Sequence, residues 1–255
     1  MSSECGAAHG TSSFERARHE TVRYHEDLYA TAALGQAGTW LARPHRLLSD
    51  ALIQVSSRRP VVAYDLGAGP GRHTIPMMQQ LPAGSDVYAV DLLSSALQSL
   101  TGAVPTGLRT SLWTRQADLD DFVFETPADL VFAFSAIEHL PNLEAIRRLL
   151  KRVHAAVVPG GVVAIGIAAD RFEIDTSGIR RPALLESAIA STEAAELLSD
   201  QFRDFEVVHR KASPARVREH REGETYTLAS TLVTWLGIHR ANRSSGLFTC
   251  EGAAH

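Results

Sequence analysis

The 255-residue sequence predicts an α/β fold, a doubly wound mixed sheet of about seven strands that ends in an antiparallel hairpin. Three observations carry this prediction. From Pro60 onward, strand-like and helix-like segments alternate, the pattern of a parallel sheet with crossover helices. The first and fourth strand candidates, Val61–Leu66 and Leu130–Ser135, are nearly continuous apolar runs, as expected of strands covered on both faces. The last two candidates, Phe205–Arg210 and Tyr226–Leu236, are separated only by Lys211–Thr225, where no helix fits, so they pair as a hairpin at one edge.

Residues 1–20 lack the apolar segment of a secretion signal and read as a flexible leader. Tyr24, Leu28 and Tyr29 then recur at near-helical spacing in a helix that ends around Gly35–Gly38. Thr39–Pro44 (TWLARP) links it to a second helix over His45–Ser57, so residues 21–58 form an N-terminal helical segment. The remaining strands are placed at Asp86–Asp91, Ser111–Gln116 and Val162–Ala168. Helices are expected near Gly71–Leu81, Leu93–Thr101, Leu143–Val157 and Thr192–Phe202. The main domain covers residues 59–241, and residues 242–255 are a polar, flexible tail.

A chain that is 45% hydrophobic suffices for one large core. Its 25 basic and 29 acidic residues, a net charge of −4, give no general attraction to nucleic acid or to an anionic membrane. The longest apolar stretch, Ala155–Ile165, is broken by Pro-Gly-Gly and too short to span a bilayer. Cys5 and Cys250 sit in polar tails, which argues against a disulfide framework and for a reducing cytoplasm. The histidines are scattered without metal-ligand spacing, so no metal is expected.

The chemistry begins at Val61–Thr74, VVAYDLGAGPGRHT. Gly67 permits a tight turn after the first strand, while Gly69 and Gly71 remove side chains that would hold a ligand off the backbone. Asp91 ends the second strand about twenty residues beyond Gly71, where a ribose-diol acceptor belongs, with Leu92 beside it. Nicotinamide dehydrogenases and adenosylmethionine enzymes both use such an acid. Three features separate them. Arg72 stands where the full dinucleotide fingerprint wants a third close-packing glycine. Asp65 beside the loop would repel a pyrophosphate, yet suits the ammonium group of a sulfonium ligand. Asp118, at the end of the third strand, suits an adenine amine, with the Leu119 N–H free for the ring.

On these residues the chain resembles the class I S-adenosylmethionine-dependent methyltransferases, and within them the tellurite-resistance-type branch. The resemblance runs from about Tyr24 to Arg240. Its most specific part is Asp65–Arg72 (DLGAGPGR), supported by Val90-Asp91, Ala117-Asp118-Leu119, Ser135–Leu140 (SAIEHL) and Val158–Gly161 (VPGG), the last expected as a turn between the helix after strand four and strand five. The resemblance implies a Rossmann-like fold with S-adenosylmethionine as cofactor. Asp65, Gly67, Ala68, Gly69, Gly71 and Arg72 would surround its methionyl portion, Asp91 and Leu92 its ribose, and Asp118 and Leu119 its adenine. It also implies that residues 21–58 act as a lid, Tyr29 and Trp40 closing over the cofactor; the same aromatics would equally serve to anchor the leading helix.

The loop opening at Ser135 is then expected to face the cofactor's methyl group. Methyl transfer is an in-line displacement that needs its acceptor within about 3–3.5 Å. His139 is the candidate catalytic residue, as base or as orienter, against the alternative of a helix cap or a carbonyl hydrogen bond. Glu138 faces either solvent or the cofactor. The Asn/Asp-Pro-Pro-aromatic signature of base and amino-group methyltransferases is absent, so the partner expected is a small molecule rather than nucleic acid. A dimer or a partner subunit stays open. The loop Ala169–Pro182, with Arg180 and Arg181 available to an anion, is a second candidate wall. His220, near the hairpin tip, reaches the site only if that tip folds back. Three other readings stay open: a sulfonium-assisted reaction without methyl transfer, a cofactor-binding subunit without turnover, and a dehydrogenase.

Overall fold

A computed structural model describes residues 12–55, 59–221 and 223–240. One mixed sheet of eight strands organises them. Strands β1 (Val62–Leu66), β2 (Asp86–Asp91), β3 (Ser111–Gln116) and β4 (Ala128–Phe134) run parallel with the first half of β5 (Val157–Ile174). β8 (Glu224–His239) pairs antiparallel with β5 and with β7 (Phe205–Arg221), and the short β6 (Arg180–Pro182) folds back on the end of β5. The order β3-β2-β1-β4-β5-β8-β7 reverses between β1 and β4, and a ligand site of an open α/β sheet belongs at such a switch.

The helices are α1 (Ser13–Thr31), α2 (Arg46–Val55), α3 (Thr74–Gln80), α4 (Ser94–Ala103), α5 (Leu143–Ala156) and α6 (Ser191–Gln201). On one face of the sheet, Leu47, Leu48, Leu52 and Met77 of α2 and α3 pack on Ala63, Val87 and Phe132. On the other, Ile146, Leu149, Val153 and Leu197 of α5 and α6 pack on Leu66, Val90 and Ile165. α5 shows why the pattern folds this way. Asn142 caps it by accepting the Ala145 N–H, and its apolar residues recur every three or four positions toward the sheet.

Four expectations need correction. The leader is helical from Ser13, because Ser12 and Glu15 form a reciprocal capping box that starts α1 there; residues 1–11 and the 241–255 tail, with Cys5 and Cys250, lie outside the described residues. The Val158–Gly161 segment is not a turn before β5 but part of it, its irregularity absorbed where the register with β4 shifts between Ala128 and Leu130. Ala169–Pro182 is no irregular loop, since β5 continues to Ile174 and β6 pairs with it. Finally, Lys211–Thr225 is not a connection. Unbroken pairing from Lys211↔Thr234 to Arg221↔Glu224 turns it into two long strand arms.

Candidate active site

The loop after β1 is pinned by its neighbour β2. The N–H groups of Gly67 and Ala68 both donate to the Val90 carbonyl, at 2.8 and 3.0 Å. Asp91 turns back on the loop: one carboxylate oxygen accepts the Gly69 N–H at 2.7 Å, the other the Leu93 N–H at 2.9 Å. Burial raises the Asp91 pKa, and those donors oppose the rise. Gly67 has φ +74°, and a Cβ there would fall 2.3 Å from the Ala136 Cβ, so glycine is required where the β1 and β4 loops meet. At Gly71 the expected reason was ligand access. The structure instead fills the space with Leu100 and Ile75, and Gly71 serves packing.

Two cavities open above these strand ends. The smaller, about 110 Å³, is lined by Asp91, Leu92, Asp118 and Leu119, the residues assigned to the nucleoside. Arg18 of α1 closes it, forming an ion pair with Asp118 and donating to the His139 carbonyl at 3.3 Å. The larger, about 600 Å³, takes in Gly67, Ala68, Gly69, Arg72 and the start of the β4 loop. Gly67, Thr21, His25, Tyr29, Ser135 and His139 line both, so the cavities meet at these side chains.

The junction is shaped by strain. Ser135 takes φ +52°, an uncommon conformation for a residue with a side chain, and redirects the chain from β4 into the 3₁₀ turn Ile137–His139. That turn drives Glu138 inward. Its Oε1 accepts the Ala168 N–H at 3.0 Å, while its buried Oε2 has no protein partner. His139 Nδ1 lies 3.2 Å from Glu186 Oε1. Against burial, which pulls the Glu186 carboxyl up, the hydrogen bond and charge of His139 hold it down to about 2. Next to this pair, His25 donates from Nδ1 to the Thr21 carbonyl at 2.8 Å, and burial lowers its pKa to about 4.

The remaining walls come from both ends of the chain. Tyr29 and Trp40 meet edge to face, with ring centres 6.1 Å apart, and Trp40 Nε1 donates to the Tyr24 hydroxyl at 3.3 Å. Arg72 donates to the Trp40 carbonyl at 2.8 Å and lies over the Trp40 and Phe134 rings; burial lowers its pKa to about 10. From the hairpin, Glu219, His220, Arg221 and Tyr226 reach the large cavity, so the tip does fold back. Arg221 grips Glu173 through two 2.8 Å bonds, and the Tyr226 hydroxyl donates to Glu219 at 2.8 Å.

Some candidates fall elsewhere. Asp65 lines neither cavity: it is buried beneath the loop, accepts the Thr74 hydroxyl at 2.6 Å, and has its pKa pushed up to about 7 by burial. Arg180 and Arg181 also miss the cavities, Arg180 lying 3.7 Å over the Phe172 ring and Arg181 pairing with Glu224. The sequence reading missed Arg18, Glu186, Glu219 and Tyr226. Only Glu219 carried a signal, in the charge density of Val217–Glu224.

The residues present fit S-adenosylmethionine. Asp91 and Asp118 stand at the ends of successive strands in the smaller cavity, the Gly67–Gly69 backbone lines the larger, and a buried carboxylate oxygen of Glu138, a residue of the larger cavity's wall, has no protein partner. Among the described residues no helix is long and apolar enough to cross a membrane.

Residues 63–161 match the family model of a methyltransferase domain. A trans-aconitate 2-methyltransferase of Azoarcus sp. (strain BH72) is 32% identical over 120 residues, 47% of this chain and 44% of that protein. The chain thus matches less than half the length of this curated relative. TehB from Haemophilus influenzae shares the fold with a TM-score of 0.60 at 19% identity, over 77% of this chain and 63% of its own. Magnesium protoporphyrin IX methyltransferase from Synechocystis PCC 6803, solved with bound S-adenosylmethionine, shares it with a TM-score of 0.54 at 11% identity, over 91% and 99%. Gly67, Asp91 and Asp118 thus lie within a stretch, residues 63–161, that is similar to a methyltransferase domain, and the chain shares its fold with these methyltransferase structures.

Proposed function

We propose that the chain transfers a methyl group from S-adenosylmethionine to a small, uncharged or cationic organic acceptor, within a cytoplasmic biosynthetic pathway. The single observation that carries this reading is the meeting, at Gly67, Ser135 and His139, of the recess that holds Asp91 and Asp118 with a cavity of about 600 Å³. The cofactor, when bound, supplies an electrophilic methyl group. Asp91 holds the ribose hydroxyls. Asp118 takes the adenine amine once Arg18 releases it, so admission of the nucleoside displaces the Arg18 side chain. Tyr29 and Trp40 keep water from the junction. In its neutral form His139 donates from Nδ1 to Glu186, and the lone pair on Nε2 is then free to remove the acceptor's proton.

The walls favour an acceptor unlike a tricarboxylate. Arg221 is committed to Glu173, Arg23 to Glu20, Arg171 to the carbonyls of Glu138 and Ser187, and Arg72 to the Trp40 carbonyl. Asp27, Glu138 and Glu219, which take no part in these ion pairs, line the same space as Leu184, Val217 and Leu228. These residues on α1, β7 and β8 lie outside the matched domain, so a relative's acceptor does not transfer with it. The test is turnover with the purified chain, monitored by mass spectrometry. One S-adenosylhomocysteine per methylated product from a neutral or amine-bearing acceptor supports the proposal. Product without the demethylated cofactor would favour a sulfonium-assisted reaction, and preferred methylation of a tricarboxylate would sink the acceptor class.

A further inference from the structure

At the end of the sheet away from these cavities, the structure gathers a side-chain set that the methyl-transfer reading does not use. His154 lies in the last turn of α5, Asp204 just before β7, and His239 at the end of β8. Their ligand atoms all lie within 4.8 Å of one another. We infer that His154, Asp204 and His239 form a binding site for a divalent transition metal of the zinc class, a set whose members lie too far apart along the chain for sequence spacing to show it.

The hydrogen bonding at His239 carries the inference. Its Nδ1 lies 3.0 Å from the Val157 carbonyl, which can only accept, so Nδ1 holds the proton and the neutral ring's Nε2 is bare. That bare Nε2 faces Asp204 Oδ2 at 3.5 Å. A lone pair and a carboxylate oxygen repel unless a cation lies between them, and that cation is either a proton or a metal ion. His154 Nε2 sits 2.9 and 3.0 Å from the two Asp204 oxygens and completes a two-histidine, one-carboxylate set.

The supporting shell is built for ligation. The Val157 carbonyl fixes the His239 tautomer, as the outer partner of a metal-bound histidine does. Phe205 stacks on His239 with ring centres 4.7 Å apart, and Phe202 stacks on His154 at 6.1 Å. Zinc at about 2.0–2.1 Å from its ligands needs ligand atoms about 3.3 Å apart. The half-exposed Asp204 supplies the small rotation, and solvent supplies the fourth ligand. On binding, His154 moves its proton from Nε2 to Nδ1. The ion would tie α5, β7 and β8 together at the base of the hairpin, so the role is structural.

The full-length chain, stripped with a chelator, is titrated with zinc by calorimetry and with cobalt by visible absorption. The expected results are one saturable equivalent of zinc at micromolar affinity or tighter, a tetrahedral cobalt spectrum, and a zinc-dependent rise in thermal midpoint. His239→Gln and Asp204→Asn each weaken zinc at least tenfold and abolish the midpoint rise, with S-adenosylhomocysteine affinity unchanged. Asp204→Asn keeps the side-chain shape, so loss there is not loss of fold. Absence of saturable binding below millimolar zinc would show that a proton alone bridges the set and would overturn the inference. So would zinc uptake that both variants leave unchanged.

Discussion

The parallel half of the sheet and the long β7–β8 hairpin meet at one site but contribute differently. β1, β2 and β4 are buried; backbone donors of the β1 loop tie Gly67 and Gly69 to Val90 and Asp91, and Gly67 packs on Ala136 of the β4 loop. The hairpin is an exposed ribbon along most of β7, and its far end meets the cavity through Glu219, His220 and Tyr226. α1 resembles the hairpin in this respect. It buries only Ala17 fully and offers Arg18, Tyr24, His25 and Tyr29 to the site. The matched methyltransferase domain ends at residue 161, before the hairpin begins. The contrast teaches that the strand-end loops of the matched domain supply the floor shared by both cavities, whereas α1 and the hairpin close them with walls from outside that domain.

The comparison breaks most visibly at Asp91. Asp91→Lys is expected to weaken S-adenosylhomocysteine by more than about a hundredfold in calorimetry, because it replaces an acceptor of two N–H groups with a repelling cation. Unchanged affinity would detach the cofactor end from the parallel half. Next, His139→Ala should lower the turnover rate by about a hundredfold with cofactor affinity kept, the usual scale of a lost general base. Glu186→Gln should give a smaller loss with an altered pH–rate profile, since it frees the His139 ring without removing it.

Replacing the hairpin tip, residues 216–229, by a two-residue turn should raise the acceptor's KM about tenfold or more while calorimetry with S-adenosylhomocysteine changes little; 1–3 kcal/mol of pocket contact is at stake. Equal damage to both ligands would erase the distinction between the regions.

The smallest effects are opposite pH slopes, read by urea unfolding. Asp65 has its folded pKa raised to about 7 from 3.8, so the folded state holds the extra proton and stability falls as pH rises from 4 to 7. His25 has its folded pKa lowered to about 4 from 6.5, so the unfolded state holds the extra proton and stability rises over pH 4 to 6.5. Each slope is bounded by about 1.4 kcal/mol per pH unit. Asp65→Asn should make stability climb more steeply through this range, and His25→Gln should flatten it.

Legibility followed contact distance along the chain. The glycine turn and Asp91 were readable because strand, turn and carboxylate recur in one local order, and the switch point then brings them together. The hairpin arms were not: Lys211–Thr225 is charged on both sides of the ribbon and lacks the apolar alternation of a half-buried strand. β6 went unseen because a three-residue strand has no periodicity to read. Asp65 shows a different failure. Its position beside the loop was correct, but the pleat of β1 sends its side chain beneath the loop to Thr74.

Local order along the chain sets the alternation of strands and helices, the conformational freedom of the loop after β1, and the acids at the ends of β2 and β3. These properties reside in residues that act within a few positions of one another. Only the tertiary structure decided that Glu186 steadies His139 from 47 residues away, that Arg18 closes on Asp118, and that two histidines and an aspartate converge beneath the hairpin. Sheet register and helix docking set those meetings, and both emerge from packing the whole chain at once.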